Sequence, residues 1–330
     1  MANPIRLVIL NSNSPYFNLA TEEYLLHNSE DDIIMLWRND NTIVIGRHQN
    51  TLAEINLDYV ENNKVNVVRR LTGGGAVFHD LGNVNFTFIK NSENNDPEID
   101  FSKFLQPILD GLHSLNIPAE FSGRNDIVVD GKKISGNAMT FHKNRILEHG
   151  TLLFSSTQKN IADALRADPA KFSDKAVKSV RKRITNISEH LKKKMSVTEF
   201  MDYLASFLSE HQNTYLKNLT SEETTSIESL AKNKYQTWEW NFGNSPQYAL
   251  NKKIRTKGGI IQAVTDVKNG KIYDVRFYGD FFGYLNPQVL ADSLIGTEHT
   301  KNAIEKVLNE QNVSRFFNNT TTEEVLDLLF

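Results

Sequence analysis

The sequence has 330 residues, more than one hydrophobic core usually serves, so length alone predicts one large domain and one smaller one. Apolar residues at 39% and charged residues at 23% exclude global disorder, and a net charge of -3 supplies no field that would draw nucleic acid or an anionic membrane to the whole surface. No stretch is apolar for long enough to cross a bilayer, and Met1 to Leu10 lacks the pattern of a secretory leader, so a cytoplasmic location is expected. The absence of cysteine removes disulfides, thiolate metal sites and any mechanism that runs through a thioester.

In chain order, β-rich runs at Arg6 to Leu10, Ile33 to Trp37, Thr42 to Ile45, Val65 to Arg70, Val84 to Ile89, Ile127 to Val129 and Ile146 to Phe154 predict strands. The alternation in Val84-Asn85-Phe86-Thr87-Phe88 predicts a strand with one buried face. Asn18 to His27 and Phe101 to Leu115 have the spacing of amphipathic helices, and Pro107 is expected to kink or interrupt the second. The pattern is that of a mixed α/β domain. No Gly-x-Gly-x-x-Gly opens a helix after a strand, which disfavours a doubly wound dinucleotide fold.

Three glycines at 73 to 75 follow Arg69-Arg70-Leu71-Thr72 and precede Ala76-Val77-Phe78-His79-Asp80. Consecutive glycines cost backbone entropy and are kept where main chain passes close to something or adopts positive φ. Their unobstructed N–H groups can form a concave anion site, to which Arg69 or Arg70 adds charge. Alone, Gly-Gly-Gly fits a slack surface loop. Here Val67, Val68 and Leu71 before it and Ala76, Val77 and Phe78 after it predict a loop anchored at both ends. It is not a Walker A loop, because no Gly-Lys-Ser/Thr follows. Further on, Asp130-Gly131 predicts a hairpin turn. That turn puts Lys133 at the start of a returning strand, ahead of the small residues Ser135, Gly136 and Ala138. A lysine so placed can reach into a cleft, whereas Lys132 beside it has the setting of a solvated lysine.

From Lys171 to Lys194 the chain carries nine Lys/Arg and two Asp/Glu, which predicts a long basic loop. Ser196-Val197-Thr198-Glu199 then forms a capping box before Phe200, Tyr203, Leu204 and Phe207 at helical spacing. Asn244-Ser245-Pro246 marks the expected boundary between domains spanning 1–246 and 247–330. In the second, Asn269-Gly270 predicts a hairpin joining Ile260 to Val267 with Lys271 to Tyr278. Helices near Asn302 to Leu308 and Glu323 to Leu329 complete a small α+β domain.

These motifs resemble those of the lipoate-protein ligases, within the wider group of biotin and lipoyl protein ligases. The resemblance rests on Arg69-Arg70-x-Thr72-Gly73-Gly74-Gly75-Ala76-Val77-Phe78-His79-Asp80-x-Gly82-Asn83, Gly123-Arg124-Asn125-Asp126, Lys133-Ile134-Ser135-Gly136, His149-Gly150-Thr151-Leu152-Leu153, Ser179-Val180-Arg181 and Trp238-x-Trp240-Asn241-Phe242-Gly243. It extends from Phe17-Asn18-Leu19-Ala20 to Gly243, with an accessory domain after it. It implies an α/β (α+β) catalytic domain with the mixed sheet of biotin and lipoyl ligases. It also implies a two-step activity, in which lipoate and ATP give lipoyl-adenylate and the acyl group passes to a lysine of a lipoyl carrier domain. The implied carriers are the E2 subunits of 2-oxoacid dehydrogenases and the glycine cleavage H protein. Neither a nucleic acid nor a membrane partner is implied.

By the same resemblance, Lys133 is the essential lysine between the acid's carboxyl and the α-phosphate. Arg70, Gly75, Ala76, Val77, Phe78 and Arg181 match nucleotide-binding positions, and Thr72, Gly73, Gly74, His79 and His149 match the acyl end. Ser179 to Arg183 is similar to a loop that closes over the adenylate. Magnesium is implied by the use of ATP, without an identified ligand set; Asp126 is open between holding the ion and fixing Lys133. Octanoyl or lipoyl transferases of this fold use a cysteine, which this chain lacks. Two alternatives stay open: a cysteine-independent transferase fed with preformed acyl-adenylate, and a noncatalytic regulator that binds nucleotide or nucleic acid.

Overall fold

The computed structural model of the chain describes residues 4–92, 100–123, 125–157, 163–165, 184–243, 248–281 and 283–330. The chain forms two compact units, Met1–Thr237 and Trp238–Phe330.

The first unit is built on an eight-stranded mixed sheet. Its strands are β1 (Ile5–Ile9), β2 (Ile33–Trp37), β6 (Asn83–Asn91), β7 (Ala119–Ser122), β8 (Asp126–Val129), β9 (Lys132–His142), β10 (Arg145–Leu153) and β11 (Thr214–Leu216), in the order β11-β1-β2-β6-β10-β9-β8-β7. β1 lies parallel to β2 and β11, and the run from β2 to β7 is antiparallel. A second sheet sets β3 (Thr42–Ile45) between β4 (Asn66–Arg69), which is parallel to it, and β5 (Val77–His79), which is antiparallel. The glycine-rich segment is the link from β4 to β5.

Helix α1 (Pro15–Asn28) starts with Ser14 as N-cap and Pro15 in its first turn, the preferred arrangement for a helix N-terminus. Short helices α2 (Thr51–Glu54) and α3 (Leu57–Asn62) lead into β4. Helix α4 (Ser102–Ser114) runs through Pro107, so of the two expected outcomes, a kink or an interruption, the interruption does not occur; Phe104, Leu105, Ile108, Leu109 and Leu112 tie it to the core on both sides of the proline. Helix α5 (Val197–His211) has the expected capping box, Ser196 with Glu199, and stacks Phe200 on Phe154 with ring centroids 4.6 Å apart. Helix α6 (Ser221–Leu230) follows, then a π-helical turn at Ala231–Tyr235.

Strand β6 departs from its expected single buried face: Asn83 to Ile89 are buried without exception. Phe86 and Phe88 join the core with α4 and α5, and of the alternate residues, both buried, Asn85 lines the cavity and Thr87 belongs to the hydrogen-bond chain described below. The sheet is covered on both faces, so a two-residue period in polarity does not mark solvent here.

In the second unit, β12 (Tyr248–Thr256), β13 (Gly259–Lys268) and β14 (Lys271–Gly279) form an antiparallel sheet. Asn269 and Gly270 take positive φ of 50° and 68° at the expected turn. Helices α7 (Pro287–Leu294), α8 (Lys301–Gln311) and α9 (Thr322–Leu328) close a core that includes Ile261, Ile272, Leu290, Leu308, Phe317 and Val325. Among the described residues no helix is long and apolar enough to cross a membrane.

Candidate active site

Strands β2, β6, β9 and β10 and the glycine-rich link enclose a cavity of about 200 Å³ within the first unit. Leu19, Trp37, Val44, Ala76, Val77 and Ala138 supply an apolar wall, while Arg70, His79, Asn85, Asn125, Lys133, Asn137, His149 and Thr151 add polar groups. A mostly apolar recess with a few fixed polar atoms is the usual form of a small-molecule site.

The link takes its shape from two buried arginines. Arg69 donates through Nη1 to the carbonyls of Gly46 (2.9 Å), Arg47 (3.1 Å) and Gln49 (2.7 Å), and through Nη2 to Thr51 Oγ1 (2.7 Å). Arg70 donates through Nη2 to the carbonyls of Gly73 (2.6 Å) and Gly75 (2.9 Å), through Nη1 to Val44 (3.1 Å) and through Nε to Thr72 Oγ1 (2.9 Å). Burial pushes both guanidinium pKa values down to about 10; the charge of Glu22 opposes the shift at Arg70. Both remain cations at neutral pH. Gly74 has φ of +91°, which favours glycine. A side chain at Gly46 would have its Cβ 2.0 Å from the Gly74 carbonyl oxygen, so this fourth glycine is required by the same loop.

Lys133 approaches from the opposite wall. Asp130 and Gly131 turn with φ of 49° and 70°, as expected for the hairpin, and the register of β8 with β9 slips between Ile127 and Val128. A bulge of this kind re-aims side chains. Lys133 lies across Gly136, where a Cβ would fall 2.8 Å from its Nζ. The ammonium pairs with Asp126 Oδ1 at 2.8 Å, and both side chains stay partly exposed at 41% and 35%. The pair is therefore accessible from the cavity mouth, and a ligand anion can compete with Asp126 for the charge.

Asn39 Nδ2 donates to His79 Nδ1, 3.1 Å away. Because an amide nitrogen donates, Nδ1 is the acceptor and the ring proton sits on Nε2. Burial, with help from Arg70 and His149, pushes the His79 pKa down to about 3, so this ring is neutral. His149 has two partners: Nδ1 lies 2.9 Å from Glu22 Oε1 and 3.1 Å from Oε2, and Nε2 lies 2.8 Å from Thr72 Oγ1.

Of the residues singled out in the sequence, Arg70, Gly74, Gly75, Ala76, Val77, His79, Lys133 and His149 line this one cavity. Thr72 and Gly73 stand behind the wall and are bonded to Arg70, and the Phe78 side chain is buried in β5. Arg181, with Ser179 to Arg183 around it, lies outside the described residues. Trp37, Asn85 and Glu22 escaped the sequence reading. Trp37 ends an apolar strand with no local mark of function, and Glu22 sits on a helix face whose Asn18, Thr21, Glu22 and Glu23 are all buried, where charge ordinarily signals solvent.

The sequence and the fold are shared with known proteins. Residues 14–209 match the lipoyl protein ligase A/B catalytic domain, and residues 245–329 match the bacterial lipoate protein ligase C-terminus. The lipoate-protein ligase LplJ of Bacillus subtilis is 42% identical over 97% of this chain and 98% of its own length. Among solved structures, a bipartite lipoate protein ligase of Thermoplasma acidophilum, described with its E2 lipoyl domain, is similar with a TM-score of 0.67 and 29% identity, over 74% of this chain and 98% of that one. A lipoate-protein ligase A bound with ATP aligns with a TM-score of 0.64 and 27% identity, over 73% and 100% of the two chains. P. falciparum LipL1 in complex with lipoate aligns with a TM-score of 0.60 and 27% identity, over 98% and 97%. With a catalytic-domain match over most of its length and a full-length relative at this identity, the chain belongs to the lipoate-protein ligase family.

Proposed function

We propose that the cavity activates lipoate with ATP and passes the lipoyl group to a lysine of a lipoyl carrier domain. The observation that carries this reading is the convergence of the Lys133 ammonium, an arginine-shaped glycine-rich link and an apolar recess on a single cavity. The carboxylate oxygen of lipoate attacks the α-phosphorus, the bond to the bridging oxygen breaks, and pyrophosphate leaves. The amine nitrogen of the acceptor lysine then attacks the acyl carbonyl, loses a proton, and displaces AMP to leave an amide. Negative charge gathers in both steps on oxygens around one phosphorus and one carbonyl, and a fixed cation stabilises it there.

Lys133 is assigned that role. Its ion pair with Asp126 keeps the ammonium oriented until substrate oxygens replace the carboxylate. Arg70 turns the carbonyls of Gly73 and Gly75 toward itself and so fixes the form of a link assigned to the nucleotide. His79 and His149 are assigned to the acyl end, beside Trp37 and Leu19. Arg181 is assigned to closing the site over the adenylate. Magnesium enters this reading as the counter-ion of the triphosphate, and Asp126, paired with the cavity-lining Lys133, is the carboxylate that would meet it. Among the described residues no group of three or more His, Asp or Glu is arranged to hold a metal, so the ion's remaining ligands would be phosphate oxygens and water.

The carriers proposed are E2 lipoyl domains, in keeping with the partner of the T. acidophilum relative, and the glycine cleavage H protein. The division of labour at residue 246 is supported by the C-terminal family match from residue 245. The absence of cysteine speaks against transfer through a thioester. Exchange of labelled pyrophosphate into ATP, with lipoate, octanoate and biotin supplied separately, tests the reading. Exchange with lipoate is expected. Exchange with none of the three would overturn the ligase, and exchange with biotin alone would reassign its acid.

A further inference from the structure

Behind the cavity wall runs a chain of buried hydrogen bonds in which each end can only donate. Trp37 Nε1 donates to Thr87 Oγ1 at 2.9 Å, and the Thr87 hydroxyl donates to Glu22 Oε1 at 2.6 Å. From the other end, Arg70 Nε donates to Thr72 Oγ1 at 2.9 Å, and Thr72 Oγ1 lies 2.8 Å from His149 Nε2. His149 Nδ1 closes the chain on the Glu22 carboxylate, at 2.9 Å from Oε1 and 3.1 Å from Oε2. Indole and guanidinium have no acceptor, and an ionised carboxylate has no donor. If every polar hydrogen in the chain is to find a partner, the Thr72 hydroxyl donates to Nε2 and the imidazole carries its proton on Nδ1. Glu22 is where the two donor series meet.

Glu22 does not line the cavity and is only 2% exposed, so it acts through the residues that do. One arm ends on Trp37, a wall of the recess. The other ends on Arg70, which pins Gly73 and Gly75. We infer that Glu22 is a positioning residue for both substrates: its carboxylate fixes the tautomer of His149 and thereby holds the acyl wall and the glycine-rich link in one arrangement. The inference rests on the ligase reading above and adds to it a residue outside every motif quoted for the family resemblance except the helix that carries it.

A carboxylate without substitutes at this point leaves two buried donors, the Thr87 hydroxyl and the His149 Nδ1–H, without an acceptor when it is removed. Such loss is costly and is relieved by local rearrangement. Glu22→Ala is therefore expected to raise the KM for ATP and for lipoate, each by about tenfold, while kcat in the exchange assay changes by less than about threefold. Glu22→Gln keeps an oxygen at the Oε1 position, where both donors already meet, and is expected to bring both KM values back to within about threefold of the unsubstituted enzyme. Imidazole ¹⁵N NMR of the unsubstituted protein, with the His149 resonance assigned by its loss in His149→Asn, should show a protonated Nδ1 and a bare Nε2.

Equal impairment of the Ala and Gln variants would overturn the inference, as would a fall in kcat with both KM values unchanged, or a His149 proton on Nε2. If Glu22→Ala does not fold, the Gln variant and the NMR measurement decide the matter. Activity in the unsubstituted enzyme tests the ligase reading separately, because the tautomer is read without any substrate.

Discussion

On one side of the cavity the chain passes from Leu71 to Ala76 without regular structure and is held by arginine side chains; on the other, Lys133 and His149 stand on strands of the large sheet, His149 within an unbroken ladder and Lys133 beside the bulge between β8 and β9. β10 pairs with β6 from Arg145 to Leu153 and with β9 from Arg145 to Gly150, so its geometry is set by main chain. The link and the residues beside it depend on Arg69 and Arg70, which between them place eight hydrogen bonds on carbonyls or hydroxyls of residues 44–51 and 72–75. A single side-chain replacement can therefore collapse the first wall, whereas the second should keep its fold when it loses its reactive group.

Lys133→Ala probes the second wall with the largest effect expected. Adenylate formation should fall by about 10²- to 10³-fold, the usual cost of removing a group aimed at developing charge. The melting temperature should hold, since the lysine is partly exposed and its ion pair with Asp126 is a surface one. Near-normal exchange by a folded variant would move the chemistry elsewhere. Arg69→Met probes the first wall. It leaves the carbonyls of Gly46, Arg47 and Gln49 without their donor and should cost about 3 kcal/mol in denaturant unfolding. A cost as small as that of an exposed arginine would show that the link holds its own shape.

Gly150→Ala introduces a Cβ 1.8 Å from Asn137 Oδ1 and 2.5 Å from the Phe86 ring. Overpacking of this kind costs about 1–3 kcal/mol, and because Gly150 and Asn137 both line the cavity the KM for the acid should rise with it. Unchanged stability and KM would mean that even the ladder-held wall yields readily.

The smallest effect belongs to Glu148, beside His149 on the same strand. Its side chain is fully buried, neither carboxylate oxygen has a partner among the described residues, and burial first, then the charge of Glu22, holds its pKa well above the carboxylate range, with Lys90 opposing. A raised folded pKa favours the native state fully only below the unfolded value near 4.3. That contribution fades as pH climbs from there through the folded pKa. Glu148→Leu should thus stabilise the protein at pH 7.5, by about 1 kcal/mol, and flatten the decline in melting temperature between pH 5 and pH 8. A loss of stability at pH 7.5 would show that the ionised carboxylate has a role of its own.

Much of the architecture was legible locally. The strands Ile33–Trp37 and Thr42–Ile45 fall where their β-branched runs place them, and the Asp130-Gly131 and Asn269-Gly270 turns have the backbone that those residue pairs favour. The capping box at Ser196 begins its helix as expected. Long-range packing hid the rest. β6 alternates in polarity yet is buried on both faces, because Asn85 and Thr87 find partners inside. The short edge strands β7 and β11 have too few residues to show a period. At the site, the glycines and Lys133 announced themselves through spacing. Glu22 and Trp37 did not, since their importance lies in partners 65 and 50 residues away in Thr87. Arg69 and Arg70 were visible as charge next to an anion loop, but Arg69 bonds the neighbouring residues 46–51, and Arg70 bonds Val44 and the loop itself.

The slipped register between β8 and β9 has a consequence for rebuilding this protein. In a regular strand Lys133 and Gly136 would face opposite ways, and only the extra residue at the bulge lets the lysine lie across the glycine. Adding or deleting one residue between Asp126 and Gly136 would swing the ammonium to the other side of the sheet while leaving every residue type in place. The Asp130-Gly131 turn looks like an ordinary surface hairpin, yet its length is the one dimension that a graft or a library at this position must leave alone.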